Sequence, residues 1–207
     1  MNDSLVDFLI KALVLFTALP VHEFAHGWVA TKFGDDTPGN QGRLTLNPFA
    51  HLDLLGSLCM LFVGFGWAKP VMVNTSKFKN RKIGSICVSL AGPLSNILLA
   101  LIVMICLKLL LAANVDINLN LFLVFKYLIF LNTGLAVFNL LPVPPLDGSQ
   151  VLMALLPDKV RYIFMRYQRY IFFGMLIFIQ FSFFGNIITW LNNYLLAFLN
   201  YITSFIG

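Results

Sequence analysis

The sequence has little charge for its length. Of its 207 residues, 14 are lysine or arginine and nine are aspartate or glutamate, so 11% are charged while 59% are hydrophobic. Soluble domains carry about 25% charged residues, and this chain has too few to cover a water-facing surface of its size. The composition therefore excludes a soluble enzyme, a disordered tail and a nucleic-acid reader. It predicts that most of the chain lies in a lipid bilayer.

Cysteine, histidine and glutamate are scarce as well. The three cysteines contain no C-x-x-C pair, so they do not predict a disulfide framework and are interpreted as small apolar residues. The chain has three histidines and one glutamate. In so apolar a sequence the positions of these few residues are informative.

The basic residues fall into two clusters that flank apolar stretches. The first cluster comprises Lys77, Lys79, Arg81 and Lys82, and the second comprises Lys159, Arg161, Arg166 and Arg169. Because basic loops of membrane proteins stay on the cytoplasmic side, both clusters are expected to face the cytoplasm. Contact with nucleic acid is the weaker interpretation, since both clusters adjoin membrane-like segments.

Four apolar stretches are long enough to cross a membrane, which takes about 20 helical residues. They cover residues 5–32, 83–107, 119–141 and 171–207. The last stretch is long enough for two short helices, with a break expected at residues 182–186, where glycine and asparagine occur. The predicted fold class is therefore an α-helical polytopic membrane protein.

Residues 42–75 differ from these stretches because they are apolar yet rich in glycine and proline. Irregular backbone at membrane depth is tolerated where it is buried in protein or lines a wet cavity. The segment is therefore predicted to be re-entrant and hairpin-like, and to offer a strand edge to an extended substrate. A short helix at residues 54–65 is the alternative.

The first apolar stretch contains His22, Glu23 and His26 in an H-E-x-x-H sequence. On a helix the two histidines lie on one face, where they can hold one Zn²⁺ with the glutamate as general base. A carboxylate inside a membrane helix costs about 2.5–3.5 kcal/mol, so it indicates function. The alternative is a pair of core histidines with Glu23 bonded to Lys11 or Lys32, each about three turns away.

A catalytic zinc site keeps three protein ligands and one open position. Two residues are candidates for the third ligand. One is Asp147, which follows a proline-rich turn at residues 142–145 and precedes Gly148. The other is His51, for which a place near the mouth of the site or a bond to Asp53 is the favoured interpretation. Two histidines and a carboxylate make a good open zinc site, which favours Asp147.

These residues are similar to those of a known protein family. The chain resembles the site-2 protease family of intramembrane zinc metalloproteases, in its minimal branch without PDZ-like or CBS-like domains. The resemblance rests on the H-E-x-x-H motif at residues 22–26, a G-x-x-x-N motif at residues 92–96 and a proline-rich Leu-Asp-Gly segment at residues 139–148.

The resemblance implies a domain organisation. Residues 1–207 would form a single membrane-embedded peptidase domain with a three-helix core at about residues 5–150. The re-entrant segment would occupy about residues 42–75, and about two further membrane helices would occupy about residues 165–206.

The resemblance also implies the roles of individual residues. His22, His26 and Asp147 would bind one Zn²⁺ per chain, with Glu23 as the base. Asn139 would lie at the active site and orient the scissile carbonyl or its oxyanion, or else bond a carbonyl freed at the end of its helix. Asn96 would do the same work or form a bond between helices.

The implied function is hydrolysis of peptide bonds within or near transmembrane segments of membrane proteins, with single-span proteins or peptides as substrates. The expected location is a prokaryotic cell membrane, with several passes and an active site open toward the cytoplasm. A metal transporter and a catalytically inactive membrane scaffold are the alternatives. The sequence leaves the oligomeric state open.

Overall fold

A computed structural model describes residues 8–9, 12–63, 68–179 and 181–206. The α-helices within these residues are Leu19–Lys32 (α1), Thr37–Asn40 (α2), Pro48–His51 (α3), Leu54–Val63 (α4), Arg81–Ala112 (α5), Leu119–Asn139 (α6), Asp147–Leu155 (α7), Asp158–Ile179 (α8) and Ser182–Ile202 (α9). A π-helical segment, Val14–Ala18, precedes α1, and 3₁₀ turns cover Thr75–Lys77 and Ser204–Ile206. The described residues contain no strand beyond an isolated bridge between Leu52 and Ala68.

The long helix α5 is the centre of the fold. It packs against α6, α1 and α7, and α9 packs against α6. A buried apolar cluster joins α5, α6 and α9 through Ala100, Met104, Leu107, Ile129 and Leu199. This cluster lies toward the C-terminal end of α5, so the other half of that helix is free to support a polar site.

Asparagine side chains define where several helices begin. Asn80 accepts a hydrogen bond from the Ile83 backbone N–H at the start of α5, over 3.1 Å. Asn118 accepts one from Leu121 N–H at the start of α6, over 2.9 Å. Such caps satisfy backbone donors that have no partner inside the helix, and they fix where these apolar stretches become helical.

The first predicted span is helical from Val14 to Lys32, with a change of helix type at Leu19. Pro20 lies in the first turn of α1. Because proline has no N–H to donate to the preceding turn, the regular α-helix starts at this point. The expected start of the span, at about residue 5, lies outside the described residues.

The prediction of a strand edge in residues 42–75 is wrong for the described part of that segment. Residues 54–63 form the apolar helix α4 instead, which is the alternative that the sequence left open. A helix satisfies its own backbone polar groups, whereas a strand here would need a partner strand. The residues on either side of α4 do lie next to each other, since Lys69 N–H donates a hydrogen bond to the His51 carbonyl over 2.7 Å.

The C-terminal region forms two helices, as expected, but with different limits. α8 begins at Asp158, before the predicted residue 165, and α9 begins at Ser182, so the break precedes the predicted one. Lys108, near the C-terminal end of α5, donates to the Thr203 carbonyl just after α9, over 3.1 Å. The two helices α5 and α9 therefore run in the same direction.

Among the described residues, α5 and α6 are long and apolar enough to cross a membrane. They are adjacent, and the loop at residues 113–118 connects them. The coarse prediction of a helical protein with membrane-spanning segments agrees with this finding.

Candidate metal centre

The side chains of His22, His26 and Asp147 converge on one point. The two Nε2 atoms are 3.0 Å apart, and Oδ2 of Asp147 lies 3.1 Å from Nε2 of His22 and 3.4 Å from Nε2 of His26. Both histidines are buried. The H-E-x-x-H spacing brings the histidines together on α1, and α7 supplies the carboxylate.

Asp147 reaches this point because the chain turns sharply after α6. Gly148 packs so closely against the end of that helix that an added Cβ would overlap the backbone carbonyl of Leu140. No other amino acid fits there without moving backbone. The Asp-Gly pair is thus required by packing as well as by chemistry.

A second glycine makes room for the imidazoles. Gly92 of α5 faces both histidines, and a Cβ at this position would lie 2.6 Å from Nε2 of His22 and overlap Nε2 of His26. The absence of a side chain at Gly92 therefore leaves space beside the ligand atoms. The glycine of the G-x-x-x-N motif has a steric role that the sequence alone did not assign.

Two groups on α5 orient the imidazole rings. His26 donates from Nδ1 to the carbonyl of Val88 over 2.7 Å, which leaves its Nε2 lone pair free. The side-chain amide of Asn96 lies 3.1 Å from Nδ1 of His22, and Oδ1 of Asn96 is buried without a partner in the described chain. Placing that Oδ1 toward Nδ1–H would satisfy both atoms and free Nε2 of His22 as well.

The donor set fits a zinc ion. Two atoms bound at about 2.1 Å to a common tetrahedral zinc stand about 3.4 Å apart, and the three separations in this site are close to that value. Oδ2 of Asp147 is buried and accepts no hydrogen bond in the described chain, so it is available as a ligand. When bound, zinc supplies a Lewis acid that polarises a carbonyl and a water molecule.

Glu23 lies beside the ligands in the same cavity. One of its oxygens, Oε2, accepts a hydrogen bond from the backbone N–H of Val71 over 2.9 Å. The interaction orients the carboxylate and leaves its other oxygen to exchange a proton. The alternative pairing of Glu23 with Lys32 is not among the described interactions, and Lys11 lies outside the described residues.

The cavity has a volume of about 880 Å³. Apolar side chains of α6 and α8, including Phe138, Phe172 and Met175, line it together with the metal-site residues. Asn139 also lines it, but its Nδ2 donates to the carbonyl of Leu135 one turn earlier, over 3.0 Å. That contact is an i−4 bond within α6, and the role expected for Asn139 at the scissile carbonyl stays a prediction.

His51 lies apart from the three converging side chains. It is fully buried at the end of α3, and its Nε2 lies 2.8 Å from the carbonyl of Thr45. The expected bond to Asp53 is not formed, since that carboxylate accepts the backbone N–H of Gly56 instead. The structure thus places Asp147, and not His51, beside His22 and His26.

A buried carboxylate, that of Asp35, fixes the wall of the cavity, and it was not among the residues singled out from the sequence. Asp35 is fully buried just after α1, and its carboxylate accepts hydrogen bonds from Thr37 N–H at 3.0 Å and Asn74 N–H at 2.6 Å. Lys77 lies 3.6 Å from it. The signal was an acidic residue followed two positions later by threonine, a pattern typical of a local turn.

These contacts change the acidity of Asp35. Burial raises the pKa of the Asp35 carboxyl, but hydrogen bonds from Thr37 and Asn74 and the charge of Lys77 lower it by more. The net result is a pKa below the ordinary value of 3.8. The group is therefore ionised at neutral pH and holds residues 71–75 against the end of α1.

Comparisons with known proteins identify related chains. The profile of peptidase family M50 matches residues 110–183, which include Asp147. YwhC of Bacillus subtilis, provisionally named a zinc metalloprotease, is 44% identical over 162 residues, covering 76% of this chain and 73% of its own. No solved structure matches the chain.

More distant relatives are longer proteins. Rip2 of Mycobacterium tuberculosis, also provisionally named a zinc metalloprotease, is 36% identical over 141 residues, which are 65% of this chain and 52% of Rip2. The zinc metalloprotease MJ0392 of Methanocaldococcus jannaschii is 27% identical over 163 residues, which are 79% of this chain and 39% of MJ0392. The extensive match to YwhC and the profile match to residues 110–183 confirm the predicted family: the chain belongs to peptidase family M50, the site-2 protease family.

Proposed function

We propose that this zinc metalloprotease cleaves peptide bonds within or near transmembrane segments of other membrane proteins. The observation that carries the proposal is the depth of the converging ligands. They face Gly92, eleven residues along α5 from Arg81, or about 16 Å at 1.5 Å per residue. Because the hydrocarbon core is about 30 Å thick, a site at this position on a membrane-spanning helix lies inside the bilayer.

The arrangement of charge supports an active site that opens toward the cytoplasm. The first basic cluster lies at the start of α5. The end of α1 contacts this cluster, because Lys79 N–H donates a hydrogen bond to the Phe33 carbonyl over 3.4 Å. The site is nearer this end than the other. Under the positive-inside rule this end faces the cytoplasm, and relatives from bacteria and an archaeon favour a prokaryotic cell membrane.

We further infer that α9 crosses the bilayer beside α5 and α6. Residues 171–207 contain no charged side chain. α9 runs parallel to α5 and packs on α6 along the buried apolar cluster. With α1, α5 and α6, it makes the chain a multi-pass membrane protein.

Different residues of the cavity perform different parts of the reaction. His22, His26 and Asp147 would hold the zinc ion, one per chain. Glu23, held through Oε2 by Val71 N–H, takes a proton from the attacking water and returns it to the leaving amine. Apolar side chains around them restrict water to the reacting position.

A substrate needs an extended backbone before its scissile carbonyl can be attacked. Residues 69–74 have no helical structure and follow the cavity wall, where Pro70, Val71 and Val73 line it. We propose that a locally unwound substrate segment lies along this stretch and pairs with the backbone groups that make no hydrogen bond in the described chain, which include the N–H groups of Met72 and Val73.

The test uses the full-length protein in proteoliposomes together with tagged single-span membrane proteins. We expect cuts inside or beside the apolar spans, mapped by mass spectrometry. Glu23→Gln should abolish cleavage while retaining about one zinc per chain, because Glu23 is not a ligand. Asp36→Asn is the control, since Asp36 is exposed and away from the cavity.

Three results would contradict the proposal. Cleavage confined to an unfolded soluble protein such as casein would place the substrate outside the membrane. Zinc movement across the vesicle wall without cleavage would identify a metal transporter. A wild-type protein that holds zinc but cuts none of the substrates would favour a scaffold.

A further inference from the structure

The outward side of α9 carries three asparagines at a regular spacing. Asn186, Asn193 and Asn200 are exposed and lie seven residues apart. Seven residues are about 20° short of two helical turns, so the three amides share one side of the helix at intervals of about 10 Å. We call these three residues the asparagine face.

The asparagine face is separate from the packing side of α9. The side that contacts α5 and α6 contains Asn192, Leu199 and Thr203, each at most 2% exposed. Trp190 and Tyr194 are exposed on the side opposite to that contact, with ring centroids 5.0 Å apart. The asparagine face lies between these two sides, and its amides make no hydrogen bond in the described chain.

The middle asparagine lies at the depth of the bilayer centre. Its neighbour Asn192 donates to the carbonyl of Phe130 over 3.3 Å, and Phe130 is at the middle of α6, which is long and apolar enough to cross a membrane. Lipid tails cannot bond an amide, and polar side chains at this depth are satisfied by another helix. The Asn193 amide therefore needs a partner that the described chain does not supply.

We propose that the asparagine face is a self-association surface through which two copies of the chain pair in the membrane. An asparagine amide both donates and accepts, so each asparagine complements the same residue of a second copy. A two-fold axis along the membrane normal brings all three residues opposite their equivalents at once. An asparagine at a heptad-spaced position also fixes the register of paired helices.

Electrostatics does not oppose this parallel pairing. α9 has no charged residue, so two parallel copies bring no like charges together. A substrate helix could meet the same surface only if it carried polar groups at matching intervals, whereas a second copy always does. The proposal depends on α9 crossing the bilayer and does not depend on the reaction that the metal centre performs.

The first test is crosslinking in native membranes. In a variant without Cys59, Cys87 and Cys106, we compare Thr189→Cys with Ile187→Cys under oxidation. Thr189 lies between Asn186 and Asn193 in depth and about 40–60° round the helix from them, and Ile187 lies about 200° from Thr189 at nearly the same depth. We expect a disulfide-linked dimer from Thr189→Cys and loss of most of that band at Ile187→Cys. The reverse order would place the interface on the aromatic side and overturn the proposal.

The second test measures mass in nanodiscs by light scattering. The wild type should be a dimer, and replacement of Asn186, Asn193 and Asn200 together by leucine should give a monomer. Replacement of Trp190, Tyr194 and Tyr201 by leucine is the matched control and should leave the dimer intact. Zinc content of about one per chain verifies that each variant is folded, and neither mass nor crosslinking requires cleavage.

Two outcomes of the second test contradict the proposal. A wild type that is monomeric in nanodiscs would show that the amides have no partner copy. A leucine variant that remains dimeric would show that another surface joins the copies.

In the first test, a crosslink from Thr189→Cys to a single-cysteine substrate helix in place of a second copy would assign the surface to substrate.

Discussion

Asn96 and Asn139 have different contacts. The amide of Asn96 lies against Nδ1 of the ligand residue His22, whereas Asn139 bonds a carbonyl of its own helix and lines the cavity. Of the two roles that the sequence left open for Asn96, the geometry supports a bond between helices. Its effect on the reaction would then pass through the orientation of His22, as a positioning residue.

This role makes a specific prediction for Asn96→Leu. Loss of a group that orients a metal-bound histidine lowers metal affinity about 10–100-fold, and we expect a loss of that size, measured by competition with a zinc chelator. Activity should return when excess zinc is added. Asn132→Leu is the control, because Asn132 is equally buried but bonds only its own helix, at the Leu128 carbonyl. Unchanged zinc affinity with a lower kcat would instead assign Asn96 to the oxyanion.

The short segment after α1 fixes the wall of the cavity through Asp35. Asn74 N–H donates to this buried carboxylate over 2.6 Å, and three residues earlier Val71 N–H holds Glu23. Asp35→Asn removes the charge and places an amide donor where Asn74 needs an acceptor. A hydrogen bond to a charged group contributes about 1.5–3 kcal/mol, so we expect amide exchange at Asn74 to become about 30-fold faster.

The effect of Asp35 also depends on pH, with a sign set by its lowered pKa. A carboxyl whose pKa is lower in the folded chain stabilises the fold above its ordinary pKa of 3.8, and the stabilisation is lost as the pH falls through the lower, folded value. The difference in exchange between wild type and Asp35→Asn should therefore be constant near neutral pH and vanish in acid. Asp36→Asn, at an exposed position, should match the wild type throughout. A difference that grew in acid would contradict the assignment.

At the scale of elements, the sequence predicts helices better than it predicts irregular segments. The apolar stretches of α5 and α6 could be located because a membrane span needs length and hydropathy, which are local properties. Residues 54–63 were expected to be hairpin-like, since glycine and proline flank them, but whether such an apolar run becomes a helix depends on whether a partner strand exists. The buried role of Asp35 depends on Asn74, 39 residues away, and no local pattern contains that contact.

The sequence also predicts in part which side chains come together at the metal site. The i, i+4 spacing alone places His22 and His26 on one face of a helix. The choice of Asp147 rested on the chemistry of the donor set and on the family likeness, because nothing local relates residue 147 to residue 22. The requirement for glycine at position 92 could not be predicted from the sequence, because it depends on the space between α5 and α1.

At the scale of the whole molecule, the first basic cluster lies at the start of α5, and the direction of α9 extends the polarity that this cluster sets. Lys108 donates to the Thr203 carbonyl, so the C-terminal ends of α5 and α9 lie on the same side. In the cysteine-free variant, single cysteines at Ala113 and Ser204 should therefore be labelled by an impermeant maleimide from outside the cell. A cysteine at Lys79 should be labelled only after permeabilisation.

This labelling experiment separates orientation from topology. If all three positions reverse together, the chain has the opposite orientation and the metal centre opens outward. If Ser204 is labelled together with Lys79, α9 does not cross the bilayer beside α5, and the asparagine face is not at membrane depth. The expected pattern fixes a further element, because two residues separate the end of α8 at Ile179 from the start of α9 at Ser182. The C-terminal end of α8, which lines the cavity through Met175, then lies on the cytoplasmic side, where a substrate would enter.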